Sequence, residues 1–188
     1  MNVILLGYRG SGKTTLGRAL AGRLGYGYVD VDDATREAFD NATIAEIWRR
    51  HGEPAWRRAE VEATVRLLES DNQVIGLGGG TLMQPAARQA VARARDAVRI
   101  YLHAPAAVLH ERIAADAATA ATRPSLTALG GSLAEIEHVL AEREPVYRAV
   151  ADAVVDVAGL GVDEALAALL AVVPGRGKGR RGDGSQGG

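Results

Sequence analysis

At 188 residues, with 47% hydrophobic and 24% charged side chains, the chain has the length and composition of one globular domain rather than of a disordered or fibrous segment. A formal net charge of -1 removes any bulk electrostatic argument for a nucleic-acid or membrane partner, and the lack of cysteine removes disulfides, thiolate metal sites and cysteine nucleophiles together. The opening run Met1–Leu6 has no basic leader and stops at Gly7-Tyr8-Arg9, and no apolar stretch approaches the roughly 20 residues that span a bilayer, so a cytoplasmic protein is expected.

Short β-rich runs alternate with longer helical patterns, the sequence form of βαβ units and hence of a parallel sheet covered on both faces. Strands are expected at residues 3–6, 28–31, 73–77, 98–103 and 153–157, giving an α/β fold with a five-stranded parallel sheet sandwiched by helices. Leu16, Leu20 and Leu24 recur every fourth residue before Gly25, which marks an amphipathic helix and its stop. Two later helix starts have capping-box spacing, Thr43-Ile44-Ala45-Glu46 and Ser132-Leu133-Ala134-Glu135. Between these two helix starts, residues 114–131 form an Ala/Thr/Gly-rich stretch containing Arg123-Pro124, longer than the usual connection and expected to act as a mobile lid. After Pro174 the chain is a basic, Gly-rich run that cannot bury enough apolar surface to order itself, so the folded domain is expected over 1–173 and a disordered tail over 174–188.

Gly7-Tyr8-Arg9-Gly10-Ser11-Gly12-Lys13-Thr14 fits the phosphate-loop pattern at every defined position, directly after an apolar strand and directly before an amphipathic helix. Glycines let successive N–H groups turn inward on a phosphate and the helix N-terminus adds positive dipole. Lys13 reaches the β/γ-oxygens, and Thr14 offers a hydroxyl to magnesium. A dinucleotide-binding loop would need a third glycine where Thr15 stands.

The strands at 73–77 and 98–103 run into Gly78-Gly79-Gly80 and Ala104-Pro105, so neither ends in a metal-binding acid. Acids instead end the second strand as Asp30-Val31-Asp32-Asp33, and strand alternation sends Asp30 and Asp32 to one side; helix N-capping is the structural alternative. In open α/β sheets ligands bind outside the carboxyl ends of strands, so the loop after Leu6, these acids and the three glycines are expected to share one crevice. Trp56 and Arg57 fall near the start of a long helix, and Arg143 is expected to end a helix, where its charge also suits the dipole.

Taken in order, these motifs resemble the shikimate kinase family: the loop Gly10–Thr15, the acids Asp30-Val31-Asp32, Gly52-Glu53 followed by Trp56-Arg57-Arg58, the run Gly78-Gly79-Gly80, Arg123-Pro124 and Arg143-Glu144-Pro145-Val146-Tyr147-Arg148. The resemblance covers the chain to about Val173 and implies a P-loop kinase fold with a mobile lid. It also implies ATP and Mg2+ as cofactors, shikimate as acceptor and a monomer. Its catalytic residues are Asp32, which takes the proton from the 3-hydroxyl, Lys13 and Arg123. It further implies that Gly10, Ser11, Gly12, Lys13, Thr14 and Thr15 hold the nucleotide with Arg112 near adenine and Arg123 over the phosphates. Thr14 directly, and Asp30 through water, position magnesium; Asp32, Arg57, Gly78, Gly79, Gly80 and Arg143 hold shikimate. Three features depart from the family pattern: Ser125-Leu126-Thr127 follow Arg123-Pro124, the loop after the last strand is Ala158-Gly159-Leu160-Gly161, and Trp56 stands where phenylalanine is common.

Overall fold

The computed structural model describes residues 1–116 and 132–174. Five parallel strands, β1 (Asn2–Leu6), β2 (Gly27–Asp30), β3 (Gln73–Gly76), β4 (Ala97–His103) and β5 (Ala153–Asp156), form one sheet in the order β2-β3-β1-β4-β5. The expected strands are all present, with ends shifted by at most one residue. β1 lies at the centre, pairing Val3 with Val74 on one side and Val98 on the other. Every residue of β1 is buried, as a strand covered on both faces requires.

The period-2 alternation of β1 divides the interior. Val3 and Leu5 enter one apolar cluster with Ile100 and Leu102, whereas Ile4 and Leu6 enter a second with Ile75 and Tyr101. Helix α1 (Lys13–Leu24), which follows β1, packs Leu16 and Leu20 into the first cluster and stops at Gly25 in the left-handed conformation. The connection after β3 passes through a 3-10 turn (Thr81–Met83) to α5 (Pro85–Arg93), whose Val91 packs into the second cluster. Neighbouring strands β1 and β3 therefore send their connections to opposite faces, and the gap opened at their carboxyl ends is where α/β sheets take ligands.

Among the described residues the remaining helices are α2 (Val31–Arg36), α3 (Ile44–His51), α4 (Glu53–Leu68), α6 (Ala106–Ala115), α7 (Leu133–Val150) and α8 (Val162–Val172). At Thr43 the capping box is complete, hydroxyl and Glu46 carboxylate each satisfying a backbone N–H. At Ser132 only the hydroxyl half forms, accepting from Glu135 N at 3.3 Å, because the Glu135 side chain is buried instead of turning back to the cap. Arg143 does not end a helix: α7 runs on through Pro145 to Val150, with Tyr147 buried beyond the proline. Among the described residues no helix is long and apolar enough to cross a membrane.

Candidate active site

The loop between β1 and α1 is built for an anion. Gly10 and Gly12 have φ of 82° and 88°, a region that side chains other than glycine rarely adopt. Gly12 is the N-cap of α1, and the first turn has neither a side-chain cap nor an acidic residue, which leaves the positive end of the helix dipole uncompensated. Lys13 arches back so that Nζ donates to the carbonyls of Gly7 and Tyr8 at 2.8 and 2.9 Å. The Ser11 hydroxyl is buried beneath the loop without a hydrogen-bond partner among the described residues, packed where a side chain on Gly7 would have to go.

The two acids come together by a route other than strand alternation. β2 stops at Asp30 because its carboxylate caps α2: Oδ1 accepts from Asp32 N at 3.0 Å. Asp32 thus lies in the first turn of a helix, not on the strand, and its side chain is buried against Gly78. The other Asp30 oxygen, Oδ2, accepts from the Thr14 hydroxyl at 3.4 Å and the Tyr28 hydroxyl at 3.1 Å. Burial, reinforced by the Asp30 charge, raises the Tyr28 phenol and keeps it a donor.

The three glycines make room for the groups facing them. A Cβ on Gly78 would fall 2.4 Å from Asp32 Oδ1 and 2.7 Å from Glu60 Oε1; one on Gly80 would fall 2.7 Å from Arg57 Nη1. Arg57, on α4, donates from Nη1 to Glu60 Oε2 at 2.9 Å and from Nε and Nη2 to Glu53 Oε1 at 3.0 and 2.8 Å, leaving two of its five N–H groups for a ligand. Burial opposes the Arg57 charge, but Glu60 and Glu53 outweigh it and raise its pKa. The guanidinium also lies 5.7 Å over the Trp48 ring. Arg143 donates to the Gly79 carbonyl at 2.9 Å, and the Tyr147 hydroxyl donates to the same oxygen. Burial raises the Tyr147 pKa to about 12, so it remains a donor.

A cleft of about 270 Å³ joins these pieces. Of the expected residues, Gly10, Gly12, Lys13, Thr14, Thr15, Asp30, Asp32, Gly78, Gly79 and Arg112 line it. Gly80, Arg57 and Arg143 are outside its lining: Arg57 lies against Gly80 and Arg143 against Gly79, and Arg57 also faces a groove of about 650 Å³ between α4 and α5. Arg112 is anchored by a 2.8 Å bond from Nη2 to the carbonyl of Val157, directly before the Ala158–Gly161 loop. Arg123 lies outside the described residues.

A family model for shikimate kinase matches residues 9–174. The chain belongs to the shikimate kinase family. Family members act with ATP and Mg2+. A shikimate kinase of Rhodopirellula baltica is 39% identical over 173 residues, covering 92% of this chain and 90% of the relative. Shikimate kinase 2 of Dickeya chrysanthemi is 41% identical over 155 residues, covering 82% and 86%. Among solved structures, the Acinetobacter baumannii shikimate kinase in complex with shikimate superposes with a TM-score of 0.81 at 28% identity, over 90% of each chain.

Two residues of the site escaped the sequence reading. Glu60 is buried, bridging Arg57 and the Thr81 hydroxyl, which donates to Oε1 at 2.7 Å. Its signal was a carboxylate three residues after Arg57 on one helix face. Tyr147 stands four residues after Arg143, the same spacing that puts both on Gly79.

Proposed function

We propose that this chain transfers the γ-phosphoryl group of ATP to the 3-hydroxyl of shikimate, yielding shikimate 3-phosphate and ADP. The observation carrying this reading is that an uncapped phosphate loop, a buried aspartate and a glycine run backed by two arginines meet at one sheet edge. Asp32 accepts the proton as the hydroxyl oxygen forms its bond to the γ-phosphorus and the bond to the bridging oxygen of ADP breaks. Lys13 and the loop amides, of which Ser11 supplies the backbone, hold the phosphates. Arg123 adds a further cation there.

Arg57 and Arg143 hold the acceptor carboxylate, for which planar guanidinium groups suit better than ammonium groups. Gly78, Gly79 and Gly80 let the acceptor ring approach the backbone closely. Arg112, held by the Val157 carbonyl, borders the adenine end. Thr14 and Asp30, with side-chain oxygens 3.4 Å apart, are hard donors of the type magnesium takes together with phosphate oxygens. Magnesium, when bound there, offsets the charge that builds on the transferred group. The enzyme is read as a cytoplasmic monomer.

The test is ADP release with magnesium and ATP, comparing shikimate, gluconate and nucleoside monophosphates, with Asp32→Asn alongside. Turnover confined to shikimate, with kcat reduced about 100-fold or more in the variant, is expected for a lost general base. Equal turnover on gluconate, or an Asp32→Asn enzyme at full rate, overturns the reading.

A further inference from the structure

Helix α7 changes sides of the sheet along its length. Ile136, Val139 and Leu140 pack into the cluster that contains Val3 and Leu5, whereas Tyr147 packs into the one that contains Ile4 and Leu6, with Val146 and Val150 against it. The crossing segment is Arg143-Glu144-Pro145. Pro145 has no N–H for the carbonyl of Ala141, so the helix lacks one of its own bonds at this turn. Contacts outside the helical ladder must hold it.

On one side those contacts are Arg143 and Tyr147 to Gly79. On the other is His103, the last residue of β4. Its Nε2 lies 3.8 Å from Glu144 Oε1 and its Nδ1 lies 3.1 Å from Asp156 Oδ2. Asp156 is the last residue of β5 and the direct partner of His103 in the parallel register. The Ala158 N–H, with help from His103, keeps the Asp156 carboxyl below its ordinary range, so it faces the imidazole as an anion. Arg148 closes the group: it donates to Glu144 at 2.8 Å from Nε and stacks 5.7 Å over Tyr101, whose ring meets His103 edge-on.

We propose that His103 is a positioning residue for the acceptor site: by joining Asp156 at the end of β5 to Glu144 on α7, it fixes the proline-interrupted turn that carries Arg143 and Tyr147 to Gly79. Among the described residues its ring contacts Glu144, Asp156 and Tyr101, none of which lines the cleft, so it acts through the helix. This inference rests on reading Arg143 as a holder of the acceptor carboxylate.

The experiment measures KM for shikimate, KM for ATP and melting temperature in His103→Ala, Glu144→Gln, the double variant and Arg143→Ala. The His103–Glu144 contact is 3.8 Å long and partly exposed, and such contacts are individually weak, so KM for shikimate should rise roughly two- to fivefold in each of the first two variants, with KM for ATP unchanged. Because both variants break the His103–Glu144 contact, the double variant should raise KM for shikimate by less than the product of the two single effects. KM for shikimate unchanged in Glu144→Gln, equal rises for both substrates with a drop in melting temperature, or additive effects in the double variant would each overturn the proposal. Glu144→Gln keeps shape at a partly exposed position and carries the test if His103→Ala does not fold. A rise in Arg143→Ala without one in Glu144→Gln removes the positioning role alone; no rise in Arg143→Ala removes the reading of the clamp beneath it.

Discussion

Glu60 sets Arg57 from three residues further along the same helix face. Its carboxylate is 1% exposed and satisfied by Arg57 on one oxygen and Thr81 on the other. Glu60→Ala should therefore destabilise the fold by about 3 kcal/mol, the lower end for breaking a buried pair because Arg57 can turn toward solvent, and denaturant unfolding would measure it. Gly78 and Gly80 separate two outcomes of the same Gly→Ala change. At Gly80 the added methyl meets the far end of Arg57, which can yield only by loosening its pair with Glu60: KM for shikimate should rise, with a stability loss smaller than that of Glu60→Ala because the pair is loosened rather than removed. At Gly78 it meets Asp32, Glu60 and Thr81 oxygens within 2.9 Å, and Asp32 cannot move without leaving the cleft, so kcat should fall sharply. The glycines themselves were legible as a place for close approach. Which side chain each accommodates was not, because Glu60, Asp32 and Arg57 reach them from other elements.

Elements explain both the readable part of the fold and its errors. Strands were legible to within a residue because period-2 apolar runs buried on both faces have few alternative pairings. The end of β2 was misread because Asp30 caps a short helix, a side-chain bond that alternation does not register. Arg143 was expected to end its helix, yet Tyr147, buried beyond Pro145, holds α7 onto the sheet, and this tertiary packing outweighs the bond lost at the proline. Arg99 shows a similar dependence between elements: from β4 it donates to the carbonyls of Val91, Ala92 and Ala94 at the end of α5 and pairs with Asp152. Arg99→Met should cost about 2–3 kcal/mol by leaving those acceptors unpaired, seen as a lower melting temperature with KM values unaltered. The α3 capping box makes a pH prediction. Hydrogen bonds from the Thr43 backbone and hydroxyl lower the Glu46 pKa, so its stabilisation is present above the ordinary glutamate range and is lost as pH falls through the depressed value. Glu46→Gln should accordingly melt below the parent at neutral pH, and the gap should close on acidification.

At the scale of the molecule, the cleft exists because connections leave β1 and β3 for opposite faces, so its position depends on strand order rather than on any single residue. Strand order was not deducible from the elements alone, although the shared crevice was, since every parallel strand ends at the same edge. The same view decides where the chain can be cut. α8 follows β5 and packs Leu166 and Leu169 into the cluster containing α1, with Val173 closing the end. Each such side chain contributes about 1.5–3 kcal/mol on burial. Together they approach the net stability of a whole domain, about 5–15 kcal/mol. A chain ending at Pro174 retains all three and should keep both its melting temperature and its kcat/KM for shikimate, since residues 175–188 offer no large apolar side chain to the core. Ending the chain at Gly161 removes all three and exposes their partners on α1 and β4, so that chain should fail to give a cooperative thermal transition. Loss of activity in the chain ending at Pro174, with its melting temperature intact, would instead give the basic tail a part in catalysis and move the functional boundary past Val173.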